Sequence, residues 1–208
     1  MSNTKELRQF YKRLKPNIVE RLKEFKDTWK TKSGTELFAE LVFCLLTPQS
    51  KAKNCWAVVL KLIEEGLLFN GDKDQIQKCL SGVRFKNKKS EYICYARKVY
   101  PEFKKILTNC THYELREWLV KNIKGIGYKE ASHFLRNIGL GENLAILDRH
   151  ILKNLKTLKV IKEIPLHISG KKYIEIENKL KLFSKRINIP ISHLDLLFWS
   201  KETGEIFK

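Results

Sequence analysis

Apolar residues recur along this chain at helical spacing and hardly anywhere at the alternation of a strand. Leu37, Phe38, Leu41, Val42, Leu45 and Leu46 fall at i, i+4 and i+8 and make one wide apolar face. Tyr92, Ala96, Val99, Phe103 and Ile106 repeat the pattern on a longer segment, and Ala131, Phe134, Leu135 and Ile138 form another face. Ile151, Leu152, Leu155 and Leu158 follow, then Tyr173, Ile176, Leu180 and Phe183. Breakers separate these runs: Thr47-Pro48, Gly71-Asp72, Ser81-Gly82, Gly125 with Gly127, Gly139 with Gly141, Ser169-Gly170, and Asn188 to Pro190. Val160 to Ile168 has the β-branched residues of an extended segment, but it is too short and isolated to build a sheet. The pattern predicts an all-α protein of about ten helices. No fixed-period repeat and no low-complexity linker is visible, so two helical subdomains would pack directly together. A cleft between them is the usual place for a site.

Composition narrows the class. Of 208 residues, 43 % are hydrophobic and 31 % charged, which excludes long-range disorder. Lysine and arginine outnumber aspartate and glutamate 41 to 23, a formal net charge of +18. A polyanion would relieve that self-repulsion, and nucleic acid is the obvious one. The residues from Met1 to Leu14 carry Lys5, Arg8, Lys12 and Arg13 and lack the apolar core of a secretory signal. The best apolar run, Leu37 to Leu46, is about half of what a bilayer needs and contains Glu40. The expectation is a soluble, cytoplasmic, nucleoid-associated protein with no membrane partner. Cys44, Cys55, Cys79, Cys94 and Cys110 are odd in number, scattered and without a CxxC pair, so neither a disulfide scaffold nor a metal site is expected.

The informative stretch is LVKNIKGIGYKEASHFLRNIGLGENLAILDRHIL, residues 119–152. An amphipathic helix breaks at Gly125-Ile126-Gly127 and resumes at once. Two glycines around one apolar residue allow a tight hairpin, and the next helix start can present unpaired N–H groups to a phosphate. A plain αα-hairpin with a glycine C-cap would read the same. Lys129 falls in the first turn of the second helix, where the helix dipole and partial burial would favour a neutral, nucleophilic amine. An ordinary surface lysine is the alternative. Asp148, 19 residues later, precedes a new apolar-periodic helix over 149–158 and suits its N-cap. A cap would also hold its carboxylate rigidly at the end of a glycine-containing loop.

Helix, G-I-G hairpin, lysine two residues on and aspartate 19 residues after the lysine resemble the helix-hairpin-helix DNA glycosylase superfamily. The L-L-T-P-Q-S of Leu45 to Ser50 adds to the match. With F-W-S near the end and a terminal lysine, the chain looks most like the small archaeal and bacterial 8-oxoguanine DNA glycosylase family. The resemblance spans essentially the whole chain, 1–208, with the hairpin motif at about 111–139 and the catalytic loop at about 139–150. There are departures. Leu147 stands where the superfamily often has proline. No cysteine follows Cys110, so the four-cysteine iron–sulfur cluster of the endonuclease III branch cannot form in the usual way, and no cofactor is expected.

The resemblance implies a bifunctional enzyme acting as a monomer on double-stranded DNA that contains 8-oxoguanine. The damaged base is flipped out of the stack. Lys129 attacks C1′, Asp148 stabilises the cationic sugar, and the resulting Schiff base allows β-elimination and a nick. Lys208, through its free carboxylate, would accept the N7 hydrogen that 8-oxoguanine has and guanine lacks; a frayed terminus is the alternative. Trp199 and Phe85 are candidates to sandwich the base, although Trp199 could equally be core. Gln49 is expected to enter the gap left by the base or to cap the helix near Lys51. The N–H groups of Gly125 and Gly127 would hold phosphate. Lys86, Lys88 and Lys89 read as a solvated, phosphate-attracting face, while His133 and His150 show no catalytic pattern. Two other readings stay open: a glycosylase/lyase for other oxidised bases, and a non-catalytic hairpin DNA-binding module.

Overall fold

The computed structural model describes residues 2–31 and 34–206. These form eleven helices and no strand. In chain order they are α1 (Ser2–Thr31), α2 (Gly34–Leu46), α3 (Ala52–Glu64), α4 (Leu67–Asn70), α5 (Lys73–Cys79), α6 (Lys86–Ile106), α7 (His112–Asn122), α8 (Tyr128–Asn137), α9 (Arg149–Thr157), α10 (Gly170–Ile187) and α11 (Ile191–Thr203). The all-α expectation holds, and residues 158–169 are irregular rather than extended into a sheet. None of the described helices is long and apolar enough to cross a membrane.

Two hydrophobic cores divide the molecule. The first is built by α2 to α8 around α2, whose residues Leu37 to Leu46 are all buried. A helix apolar on every side must sit inside a bundle. Helices α3, α6 and α8 surround it, and Phe103 of α6 packs on Phe134 of α8. The second core joins α9, α10 and α11 to α1, with Ala145 and Leu147 from the connecting loop. Helix α1 contributes the buried Leu7, Ile18 and Phe25, with Phe10, Tyr11, Leu14 and Leu22 partly buried beside them, and contains Pro16. It docks by Tyr11 Oη against His193 Nδ1 at 2.9 Å and by Arg8 on the backbone oxygens of Arg186 and Ile187.

Helix α8 is the partition. Ala131, Phe134 and Leu135 face the first core, whereas Arg136 lies over the Phe25 ring of α1 at 4.7 Å. The chain leaves α8 through Gly139, whose φ of +80° suits glycine and whose missing Cβ would stand 2.7 Å from Lys26 Cα. Starts are capped where the sequence allows: Asp72 with Gln75 and Thr111 with Glu114 close capping boxes, and Ser169 caps α10.

Candidate active site

Helix α7 stops at Asn122, and residues 123–127 reverse the chain into α8. Gly125 turns with φ +86°, and a Cβ there would lie 2.4 Å from Cδ2 of Tyr92, so bare backbone rests on the Tyr92 ring of α6. Gly127 is the N-cap of α8. Its N–H is not free: it donates to Glu130 Oε2 at 3.3 Å, closing the helix start on itself. A phosphate reaching this N–H must displace the Glu130 carboxylate, which the sequence reading did not foresee. Lys129 stands in that first turn with its side chain one-quarter exposed and Nζ 3.5 Å from Glu130 Oε1.

Asp148 caps α9 as its position predicted, with Oδ1 accepting the Ile151 N–H at 2.8 Å. The loop leading to it is held from behind. Ala145 N–H donates to Glu177 Oε1 at 3.1 Å, and Tyr173 Oη donates to the Ala145 carbonyl at 2.7 Å while accepting the Leu147 N–H at 3.2 Å. Burial pushes the Tyr173 phenol up, so the hydroxyl keeps its proton for that double role. Glu177 in turn pairs with Arg116 of α7 at 2.6 Å, each side chain 1 % exposed. Arg116 also donates to Ser132 of α8 and lies 5.4 Å from the Tyr128 ring centre and 5.8 Å from that of Tyr173. One buried arginine therefore ties both hairpin helices to the helix that braces the Asp148 loop. The partners are 61 residues apart, and nothing local in the sequence signals the pair.

The two lobes face each other across a cleft of about 830 Å³. Gln49, Arg84 and Lys129 line it from one side, Asp148, Asp195 and Trp199 from the other. Trp199 is half-buried and meets His150 edge-on at 5.4 Å. Gln49 is exposed on a tight loop with φ +56°, and the start of α3 at Lys51 has no side-chain cap, so Gln49 does not cap that helix. Phe85 is 55 % exposed with φ +59°, has the Arg84 guanidinium 5.4 Å from its ring, and is not part of the cleft wall. Lys208 lies outside the described residues. A smaller hollow of about 330 Å³ lies behind α8, between α1 and α11, and contains none of these groups except the flank of Arg136.

Two residues depart from the sequence reading. Lys89 is not on a solvated face. It is 4 % exposed, and its ammonium donates to the carbonyls of Leu46 and Pro48 at 2.7 and 2.8 Å and to Ser50 Oγ at 3.2 Å. Ser50 Oγ also accepts the Arg84 N–H at 3.0 Å. Lys89 thus latches the Gln49 loop to the turn that carries Phe85. Asp195, passed over in the sequence, lies on the cleft wall 3.6 Å from Arg136 Nε, and burial raises its carboxyl. Its place one turn before Trp199 was the available signal, since residues four apart share a helix face. Among the described residues no group of three or more His, Cys, Asp or Glu side chains is arranged to hold a metal ion.

Comparison with known proteins agrees with this geometry. Residues 18–189 match the family model of the helix-hairpin-helix 8-oxoguanine DNA glycosylases. The 8-oxoguanine DNA glycosylase/AP lyase of Fusobacterium nucleatum is 47 % identical, over 98 % of this chain and 96 % of its own. That of Methanocaldococcus jannaschii is 43 % identical, over 94 % and 93 %. The crystal structure of the M. jannaschii 8-oxoguanine glycosylase/lyase in complex with a 15mer DNA containing 8-oxoguanine superposes with a TM-score of 0.92, at 37 % identity and with both chains fully covered. The Thermotoga maritima 8-oxoguanine DNA glycosylase follows at 0.90, with 33 % identity over 99 % of this chain and 98 % of that one. By its hairpin, its cleft and these relatives, the chain belongs to the 8-oxoguanine DNA glycosylase family.

Proposed function

We propose that this protein removes 8-oxoguanine from duplex DNA and nicks the resulting abasic site through a lysine Schiff base. The observation that carries the reading is that Lys129 and Asp148 come from opposite lobes and face one cleft. The unprotonated Lys129 amine attacks C1′ of the extruded nucleotide. The bond from C1′ to the base breaks, and the base leaves with the electron pair and takes up a proton. Loss of the amine proton and opening of the sugar ring give an iminium at C1′. That cation acidifies C2′–H, and β-elimination expels the 3′ phosphate. Asp148, fixed by its cap to α9, stabilises the cationic sugar and relays protons between steps.

Recognition in this reading uses the remaining groups. Trp199 stacks on the base from the cleft wall, and Phe85 closes over it from the lip of the other lobe. The terminal carboxylate of Lys208 accepts the N7 hydrogen that distinguishes 8-oxoguanine from guanine. Gln49 fills the vacated position in the helix, and the backbone around Gly125 and Gly127 holds a phosphate. The enzyme acts as a monomer without a cofactor, in the cytoplasm on the nucleoid. The complex of the M. jannaschii relative with DNA containing 8-oxoguanine supports the substrate.

Borohydride trapping tests it. A duplex with one 8-oxoguanine should give a covalent protein–DNA adduct that Lys129→Gln abolishes. Adducts formed only with an oxidised pyrimidine would keep the lysine chemistry and discard the base pocket. DNA binding with no adduct on any lesion would leave a non-catalytic hairpin module.

A further inference from the structure

The hollow of about 330 Å³ behind α8 is enclosed by α1, the end of α8 and the start of α11. Val19, Leu22 and Phe25 of α1 give it an apolar floor. Its charges are cationic. Lys23 and Lys26 stand on the α1 side and Arg136 on the α8 side, and the acid on the wall, Glu142, is paired with Lys26. The field is reinforced along the helix. Lys12, Lys15, Val19, Lys23, Lys26 and Lys30 follow at three- and four-residue spacing on one exposed face of α1. Val19 interrupts that row of cations where it borders the hollow.

Arg136 is common to the walls of the hollow and of the cleft. Its side chain is 7 % exposed and lies against the Phe25 ring. Asp195, its counter-ion, is a loose partner at 3.6 Å. Among the described residues nothing hydrogen-bonds Nε or Nη1 of Arg136, or Oδ1 of Asp195. A buried guanidinium with donors left over is costly, and its planar fork matches a carboxylate. The hollow has roughly twice the ~150 Å³ that accommodates a benzene ring. Its apolar floor favours an anion with a hydrocarbon body over a bare inorganic ion.

We propose that this hollow is a second ligand site, for a small carboxylate on an aromatic or aliphatic body, and that its occupant draws Arg136 away from Asp195. The body rests on Val19, Leu22 and Phe25, and the carboxylate meets Arg136, with Lys23 beside it. Such a ligand acts on the cleft without entering it. Asp195 stands one turn before Trp199 on the cleft wall, and the same helix α11 begins on the wall of the hollow at Ser192 and His193. The coupling, though not the binding, rests on the cleft being the glycosylase site proposed above.

The test titrates the DNA-free protein calorimetrically with 2-naphthoate. One molecule should bind per chain with a Kd of about 0.1–1 mM. The neutral 2-naphthamide and inorganic phosphate should each bind at least about tenfold more weakly, one lacking the charge and the other the body. Val19→Trp fills the hollow from an exposed position, and Lys23→Glu removes a cation from its wall. Both should melt like the wild type and lose naphthoate affinity at least about tenfold. In single-turnover excision from a duplex with one 8-oxoguanine, saturating naphthoate should slow the wild type at least about fivefold and Val19→Trp less than about twofold. Phosphate binding as tight as naphthoate, or naphthoate affinity unchanged in both variants, would overturn the site. Binding as expected with wild-type excision unmoved would overturn the link through Arg136. A protein that excises nothing even without naphthoate would bring down the reading of the cleft, and the link with it, while the titration still decides the site.

Discussion

Replacing Lys89 by methionine isolates the latch beneath the Gln49 loop. The side chain keeps its length and most of its volume but loses its three donors. Leu46 is the last residue of α2, so the Lys89 ammonium meets the negative end of that helix dipole. After the change, the Leu46 carbonyl still has Cys55 Sγ at 3.2 Å, and Ser50 Oγ still has the Arg84 N–H. The Pro48 carbonyl keeps only Ser50 Oγ, at a long 3.5 Å. Hydrogen bonds from a charged donor contribute about 1.5–3 kcal/mol each, so three amount to roughly 4.5–9 kcal/mol. Against this stands the desolvation of a buried ammonium, several kcal/mol in general, which here depresses the Lys89 pKa. The net loss of stability works out at about 2–4 kcal/mol. With a urea dependence near 2 kcal/mol/M, the unfolding midpoint should fall by about 1–2 M. Excision from duplex should weaken as well, because the Gln49 tip and the Arg84–Phe85 turn lose their common anchor. Urea melts followed by circular dichroism and tryptophan fluorescence, with excision measured in native buffer, check both effects. A midpoint shift below about 0.3 M with unchanged excision would refute the argument and return Lys89 to the status of a surface lysine.

Tyr173→Phe removes the hydroxyl that joins the Ala145 carbonyl to the Leu147 N–H. It should cost about 1–3 kcal/mol and slow base removal about tenfold with DNA affinity unchanged, read by single-turnover excision beside fluorescence anisotropy. His193 should make the fold acid-sensitive. Burial and Lys15 hold its pKa below the usual imidazole value, so the unfolded chain takes up a proton first as pH falls. Stability should be full above about pH 6.5, decline through the window down to the lowered folded value, and level off below both. The drop in urea midpoint between pH 7.5 and 5.5 should be smaller in His193→Asn; equal drops in the two proteins would sink this assignment.

Much of this was legible because the signals are local. The face from Leu37 to Leu46, the break at Gly125 and Gly127 and the cap at Asp148 each lie within a few residues of what they determine. The long α1 was not, because only Leu7, Ile18 and Phe25 of its apolar residues are buried and Pro16 lies within it. Lys89 was misplaced for a physical reason: in the tract Lys86-Asn87-Lys88-Lys89 only tertiary packing decides which lysine turns beneath α2. The Arg116–Glu177 pair joins distant segments, and Asp195 had only its place one turn before Trp199 to mark it. Lys129 and Asp148 were paired by the family resemblance that the hairpin and their spacing carry; that both line one cleft needed the fold.

The second core has a consequence for how the protein is made. It combines α1 with α9 to α11, which come much later in the chain. The lobe bearing Lys129 can close once α8 has been translated, yet α1 must wait for α11, which ends about 66 residues later. At roughly 5–20 residues per second that is a delay of about 3–13 s on the ribosome. During it the nascent chain exposes the stripe of α1, and the wall of the cleft that α11 supplies is missing. The cleft between the lobes gains its second wall only when these distant segments of the chain meet.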